Sequence, residues 1–231
     1  MVLSVVPFPS KSCGQKVESF PDNPPKARVD AGLAFRQRRD PDGRITLPRL
    51  TRFPDKNVIA KVNDDLMKEE RRLRRESWDC RSGNLDKAFW EQETHVAVLT
   101  RHVLSIKSEA FICCPCAHPD EEYTLITYDL TSGTRFDFSE NAALIFTANM
   151  LPSQELIDLY RRNYPAHYGD CRPSLIEDGT ELFLHFEPKG LAIIPHLPHV
   201  IAACGPEIVL PYEDLRGLLK EGNPFQSLIG P

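Results

Sequence analysis

Thr94-His-Val-Ala-Val-Leu-Thr-Arg-His-Val-Leu-Ser-Ile-Lys-Ser-Glu-Ala-Phe-Ile112 contains no glycine and no proline, and β-branched residues recur along it. His95, Ala97, Leu99, Arg101 and Val103 alternate with Val96, Val98, Thr100, His102 and Leu104. A period of two with this composition predicts strand over residues 94–112. Tyr123–Leu130 repeats the pattern, Thr131-Ser132-Gly133 reads as a tight turn, and Thr134–Phe138 as the strand it returns. These segments predict an antiparallel meander.

Working outward, the period changes before the meander. Ile59, Val62, Leu66 and Leu73 recur at helical spacing, and Asp55 stands where its carboxylate can accept the first free amide protons. Glu70 with Arg74 and Arg72 with Glu76 lie at i,i+4, so the spacing predicts ion pairs along a solvated outer face. The arginine-rich turn of Arg71, Arg72, Arg74 and Arg75 reads as part of that face rather than as an anion site. After the meander, Pro152 and Ser153 open a short helix carrying Leu156, Leu159 and Tyr160, which Tyr164-Pro165 stops. Glu181–Glu187 and Leu191–Ile194 predict a hairpin around Pro188-Lys-Gly190. Glu207–Leu210 predicts a further strand, and Tyr212–Lys220 a closing helix ended by Gly222. The expected class is α+β, with antiparallel sheet (meander and hairpin) packed against about three helices. Residues 1–43, interrupted by Pro21, Pro24, Pro25 and Pro41, read as a Pro- and charge-rich arm, extended or disordered. Residues 44–231 then form the domain, with a helix-and-meander half at 44–140 and a helix-hairpin-helix half at 141–231.

The 231 residues are 41% hydrophobic and 26% charged, enough for a real core. With 28 basic and 33 acidic residues the net charge is -5, which argues against nucleic acid as a partner. No apolar run approaches the ~20 residues that a spanning helix needs. The first residues, Met-Val-Leu-Ser-Val-Val-Pro, show neither a basic start nor a clear small-residue cleavage site. Seven cysteines stand at positions 13, 80, 113, 114, 116, 171 and 204, without the repeated Cys-x-x-Cys pairs of a zinc ribbon. The number is odd, so at least one thiol is left free, modified or paired between chains. The cysteine usage points to a disulfide-permitting compartment.

An ordered series of short motifs then becomes visible. Ser105-Ile106, Cys114-Pro115-Cys116-Ala117-His118-Pro119 and Tyr128-Asp129-Leu130-Thr131-Ser132-Gly133 follow one another. Phe183–Phe186, Gly190-Leu191, Pro195-His196-Leu197-Pro198-His199, Cys204-Gly205 and Leu210-Pro211-Tyr212-Glu213-Asp214-Leu215 close the series. Over roughly residues 44–224 this order resembles the RsiV-type extracytoplasmic domain family, domain of unknown function 3298. The Pro54–Cys80 stretch, with Val62-Asn63, is similar to the helix that usually precedes that domain. Where the family carries a glycine pair before Ala-His-Pro, this chain has Pro115-Cys116. The resemblance implies a bacterial envelope module, periplasmic or secreted, that binds rather than catalyses. The partners it implies are a lysozyme-like protein or a peptidoglycan-type glycan.

The candidate binding residues are His118 and Asp120 on one loop and His196 and His199 on another, the second stiffened by Pro195 and Pro198. The expected disulfides are Cys171 with Cys204, worth ~3 kcal/mol in the chain-entropy model, and Cys80 with Cys114, for which Cys113 or Cys116 are alternatives. Two chemical readings compete with binding. One is a hydrolase of envelope glycans or peptides using His118 with Cys116 or Asp129. The other is zinc held by Cys116, His118 and one of His196 or His199. Asp129 and Thr131 fit a turn better than a catalytic pair, since such side chains satisfy turn amides. Asp120, Glu121 and Glu122 read as a solvated acidic run. There is no Gly-x-Ser-x-Gly, His-Glu-x-x-His or phosphate-binding glycine loop. No cofactor is expected.

Overall fold

The computed structural model describes residues 26–37, 45–82, 88–114, 120–138, 153–165, 171, 180–216 and 225–229. Helix α1 runs from Lys56 to Ser82, and Asp55 caps it: its Oδ1 accepts from Asn57 N at 2.7 Å. Its buried stripe is Val58, Val62, Leu66 and Leu73, continuing to Ser77 and Cys80, while Ile59 is only partly covered. The Arg72–Glu76 pair lies on the outer face, as the spacing predicts, but Glu70 does not. Glu70 is 7% exposed, accepting from Leu47 N at 3.0 Å and pairing with Arg49 at 2.7 Å and Arg74 at 2.8 Å. The i,i+4 pair with Arg74 forms, but its carboxylate anchors the incoming chain rather than lacing the solvated surface. A buried carboxylate needs those partners to offset its lost hydration.

The first sheet has the order β1-β4-β5-β6-β7, with β1 at Arg28–Val29, β4 at Phe89–Leu99, β5 at Val103–Cys113, β6 at Asp120–Asp129 and β7 at Thr134–Arg135. Residues 94–112, read as continuous strand, are therefore two strands with a turn at Thr100–His102. No glycine, proline or asparagine marks that turn. Thr100 makes it instead: its Oγ1 accepts from His102 N at 3.2 Å and Val103 N at 3.0 Å, and its N donates to Val103 O at 2.8 Å. The expected return strand Thr134–Phe138 has ladder partners at Thr134 and Arg135, and Phe136 N adds a backbone bond to Thr127 O of β6 at 2.7 Å. The Phe136 and Phe138 rings join a cluster with Phe186 and Phe225, whose centroids lie 4.1–5.5 Å apart for Phe136–Phe225, Phe186–Phe225 and Phe138–Phe186. Gly133, at φ 73, makes the turn between β6 and β7, a conformation that needs glycine.

Residues 28–36, assigned to the arm, carry structure. β1 pairs in parallel with β4, β2 (Ala34–Arg36) pairs antiparallel with β3 (Arg49–Arg52), and Leu33 is buried. Asn63 of α1 secures this small sheet, its amide accepting from Leu50 N and donating to Leu50 O, each at 2.9 Å.

The remaining sheet has the order β10-β9-β8, with β8 at Glu181–Glu187, β9 at Gly190–His196 and β10 at Ile208–Pro211. Helix α2, Gln154–Arg162, is capped by Ser153 as expected and buries Leu156, Leu159 and Tyr160. The expected closing helix is a 3-10 turn at Tyr212–Leu215, while residues 217–224 lie outside the described residues. Pro211 enters it extended, the Tyr212 hydroxyl donates to Glu187 O at 2.6 Å, and Arg216 leaves at ψ 95, so the turn does not propagate through Arg216. A short α3, Gln226–Ile229, follows.

Two cores result. Val96, Leu104, Ile106, Ile126 and Tyr128 face α1. Ala97, Val98 and Val103 share the other core with α2, β8, β9 and β10. The layers are thus helix, five-stranded sheet, then the smaller sheet with α2, an α+β fold. Ser105 joins the two sheets: its Oγ accepts from Phe186 N at 3.1 Å, satisfying an amide on the free edge of β8. Cys80–Cys114 ties the end of α1 to the end of β5, and Cys171–Cys204 ties the segment after α2 to the 3-10 turn before β10. Cys113 is disulfide-bonded as well.

Candidate functional site

The meander's register sets rows of side chains across one face. Glu109 stands opposite Tyr123, His95 opposite Lys107, and Lys107 opposite Leu125. Strand β8 crosses this face and brings Phe183 to Tyr123, with ring centroids 6.5 Å apart. His196, at the end of β9, extends the row: its ring lies 5.4 Å from Phe183, and its Nδ1 sits 3.1 Å from Glu181 Oε2. The result is an aromatic row, Tyr123–Phe183–His196.

A groove of about 330 Å³ opens beside this row, with Tyr123, Leu182 and Phe183 on one side and Glu69, Arg72 and Arg135 on the other. The charged wall is fixed from α1. Asp65 Oδ2 accepts from Arg135 Nε at 2.5 Å and from the Tyr128 hydroxyl at 2.7 Å. Arg135 also reaches Glu69 at 2.9 Å, and Arg72 reaches Glu69 at 2.6 Å. Burial pushes the Asp65 and Glu69 carboxyls up, but hydrogen bonds from the arginines, and from Tyr128 to Asp65, outweigh it and hold both below the ordinary range. Burial, with Glu121 beside it, pushes the Tyr123 phenol well up, so it stays a neutral hydroxyl. A groove with an aromatic wall and a fixed charged wall can stack a sugar or planar group while hydrogen-bonding its polar edge.

Behind Tyr123 lies a polar cluster between the sheets. The Lys107 ammonium sits 5.8 Å from the Tyr123 ring centre, pairs with Glu109 at 2.6 Å, and also pairs with Glu207. His185 is fully buried, with Nε2 at 2.9 Å from Glu187 Oε1 and 3.6 Å from Glu207 Oε1. Those three side chains offer ligand atoms all within 4.8 Å of one another. Burial pushes the Glu187 carboxyl up, but the His185 hydrogen bond prevails and its value is lowered. Burial likewise lowers Lys107, yet Glu207 and Glu109 raise it further. His95 is pushed down by burial and stays neutral near pH 7.

Sequence reasoning does not single out this cluster. Its signal is a lone lysine in an apolar strand, Lys107, with a histidine and a glutamate two apart on another, His185 and Glu187.

Of the residues expected to bind, His196 is exposed at the end of the aromatic row. Asp120 begins β6, three residues before Tyr123, and its Oδ1 accepts from Glu121 N at 2.9 Å. His118 and Cys116 lie outside the described residues, as does the side chain of His199. The zinc reading built on Cys116 and His118 therefore also falls outside them. Asp129, the alternative catalytic acid, is held by its turn: Oδ1 accepts from Thr131 N at 2.8 Å and Thr131 Oγ1 at 2.6 Å, and Oδ2 from Ser132 Oγ at 3.0 Å.

No helix among the described residues is long and apolar enough to cross a membrane. No family model and no curated protein matches the chain. Among solved structures, a DUF3298 family member from Bacteroides fragilis NCTC 9343 is 16% identical, with a TM-score of 0.50 over 79% of this chain and 86% of that one. A DUF3298 family protein from Pseudomonas aeruginosa PAO1 is 15% identical, with a TM-score of 0.44 over 80% of this chain and 85% of that one. The chain thus shares its overall fold with the Bacteroides DUF3298 family member.

Proposed function

We propose that this chain is an exported DUF3298 domain of the RsiV type, a binding module of the bacterial cell envelope that recognises envelope glycan. The groove walled by Tyr123 and Phe183, with His196 extending the row and Arg72 and Arg135 opposite, carries this reading. Stacking rings beside fixed donors suit a sugar face and its hydroxyl or acyl edge. Cys80–Cys114 and Cys171–Cys204 support export, since such bonds persist in oxidising compartments. They also support a rigid platform, so little ordering cost would fall on binding. Asp129 is engaged by its own turn, which favours gripping over cutting. Asp120, three residues before Tyr123 on β6, belongs to the same proposal, as do His118 and His199 from the sequence pattern.

The test incubates the oxidised, folded chain with insoluble peptidoglycan and, separately, with an immobilised lysozyme-type hydrolase. Retention on peptidoglycan, competed by its soluble fragments, supports the glycan reading. Retention on the hydrolase alone transfers the site to a protein partner. Retention on neither refutes an envelope binder of this kind.

A further inference from the structure

His185, Glu187 and Glu207 are not used by the groove, and we propose that they form a binding site for a divalent transition metal, Zn²⁺ by preference. Two zinc ligands, each at about 2.0–2.1 Å and subtending a tetrahedral angle, lie roughly 3.3 Å apart. The His185 Nε2 separations of 2.9 Å to Glu187 Oε1 and 3.6 Å to Glu207 Oε1 bracket that spacing. An imidazole with two carboxylates is a borderline nitrogen and oxygen donor set that suits zinc better than magnesium or calcium.

Charge gives an independent reason. Glu109 and Glu207 share the single ammonium of Lys107, while Glu187 pairs with His185. His95, opposite Lys107 in the register, adds no positive charge because burial holds it neutral near pH 7. Three carboxylates gathered around one ammonium and one imidazole between two packed sheets are a concentration of negative charge that a dication offsets. Among the described residues His185 Nδ1 is buried and without a hydrogen-bond partner, so no contact on that side fixes the ring proton there or denies Nε2 to a metal. With metal on Nε2, the His185 proton moves to Nδ1.

The bound ion would join β8 to the residue preceding β10. Through the Lys107–Glu207 pair it would also brace the small sheet against the meander. Three protein ligands leave a further coordination position, and Glu207, the most exposed of the three at 29%, marks the side from which water or metal can enter.

The experiment uses the full oxidised chain, stripped with chelator and dialysed, then titrated with Zn²⁺ and, separately, Co²⁺. The expected result is one zinc per chain, a rise in melting temperature on loading, and cobalt visible bands of nitrogen and oxygen ligation without a thiolate charge-transfer band. Glu207→Gln should weaken zinc binding at least tenfold and abolish the thermal shift. If that variant fails to fold, the ¹⁵N shift of His185 Nε2 in the wild-type chain reports the same bond. Absence of zinc uptake by the folded chain overturns the proposal. So does a thiolate band with cobalt, an unmoved His185 resonance, or undiminished binding in a folded Glu207→Gln.

Discussion

Replacing Ser105 by alanine tests how the two sheets are held together. Ser105 and Phe186 are each 0% exposed, and the Ser105 hydroxyl accepts the Phe186 amide proton at 3.1 Å. Phe186 lies on β8, an edge strand, so this amide points away from its ladder partner β9. Removing the hydroxyl deletes one oxygen and leaves a buried donor unpaired, which costs about 1–3 kcal/mol. At ~2–4 °C per kcal/mol for a domain of this size, the melting temperature should fall by about 2–12 °C. Urea unfolding should show a lower midpoint at unchanged slope, since the surface exposed on unfolding stays the same. Alanine at Thr131, whose hydroxyl serves an exposed turn, is the control and should shift stability far less. If Ser105→Ala lies within ~0.5 kcal/mol of wild type, a surface-like value, the free edge of β8 is not satisfied in this way and the layer packing argued here is wrong.

Other perturbations probe different parts of the fold. Gly190→Ala would place a Cβ 1.8 Å from Leu210 O, across the β9–β10 pair, and should cost more than ~3 kcal/mol in urea unfolding. Removing either disulfide as a serine pair, Cys80 with Cys114 or Cys171 with Cys204, opens loops of sequence separation 34 and 33. Each should lower stability by about 3–4 kcal/mol in the chain-entropy model, read as a drop in melting temperature. Asp65 and Glu69 have folded-state values below their usual 3.8 and 4.5, so their stabilisation is full at neutral pH and is lost as pH falls through the folded values. Arg135→Gln should therefore lower stability at neutral pH and flatten the decline below about pH 4.5, the ordinary glutamate value, in an unfolding series against pH.

How far the sequence announces this fold depends on which signals act locally. The α1 stripe, the Ser153 cap, the Pro188-Lys-Gly190 hairpin and the Thr131–Gly133 turn are written by residues close in the chain, so spacing reveals them. The turn at Thr100–His102 is hidden because a threonine hydroxyl replaces the usual glycine or asparagine. Residues 28–36 look like an arm because proline and charge surround them, yet pairing with β4 and β3 is decided by distant strands. The candidate site follows the same division. His196 stands out as a histidine beside prolines, whereas the aromatic row needs β8 laid across the meander, and no local pattern encodes that crossing. Lys107, the His185 and Glu187 pair of β8, and Glu207 come from three distant positions. Only the packing of the small sheet against the meander brings them together.

The most direct test of the binding account is a calorimetric titration of the oxidised chain with soluble peptidoglycan fragments, alongside Phe183→Ala. Phe183 sits between Tyr123 and His196 and is only partly buried, so its removal should open the row while leaving the fold intact. The account predicts saturable binding by the wild-type chain, weakened at least tenfold in the variant at equal thermal stability. Equal affinity in both chains, or no heat of binding in either, would contradict it.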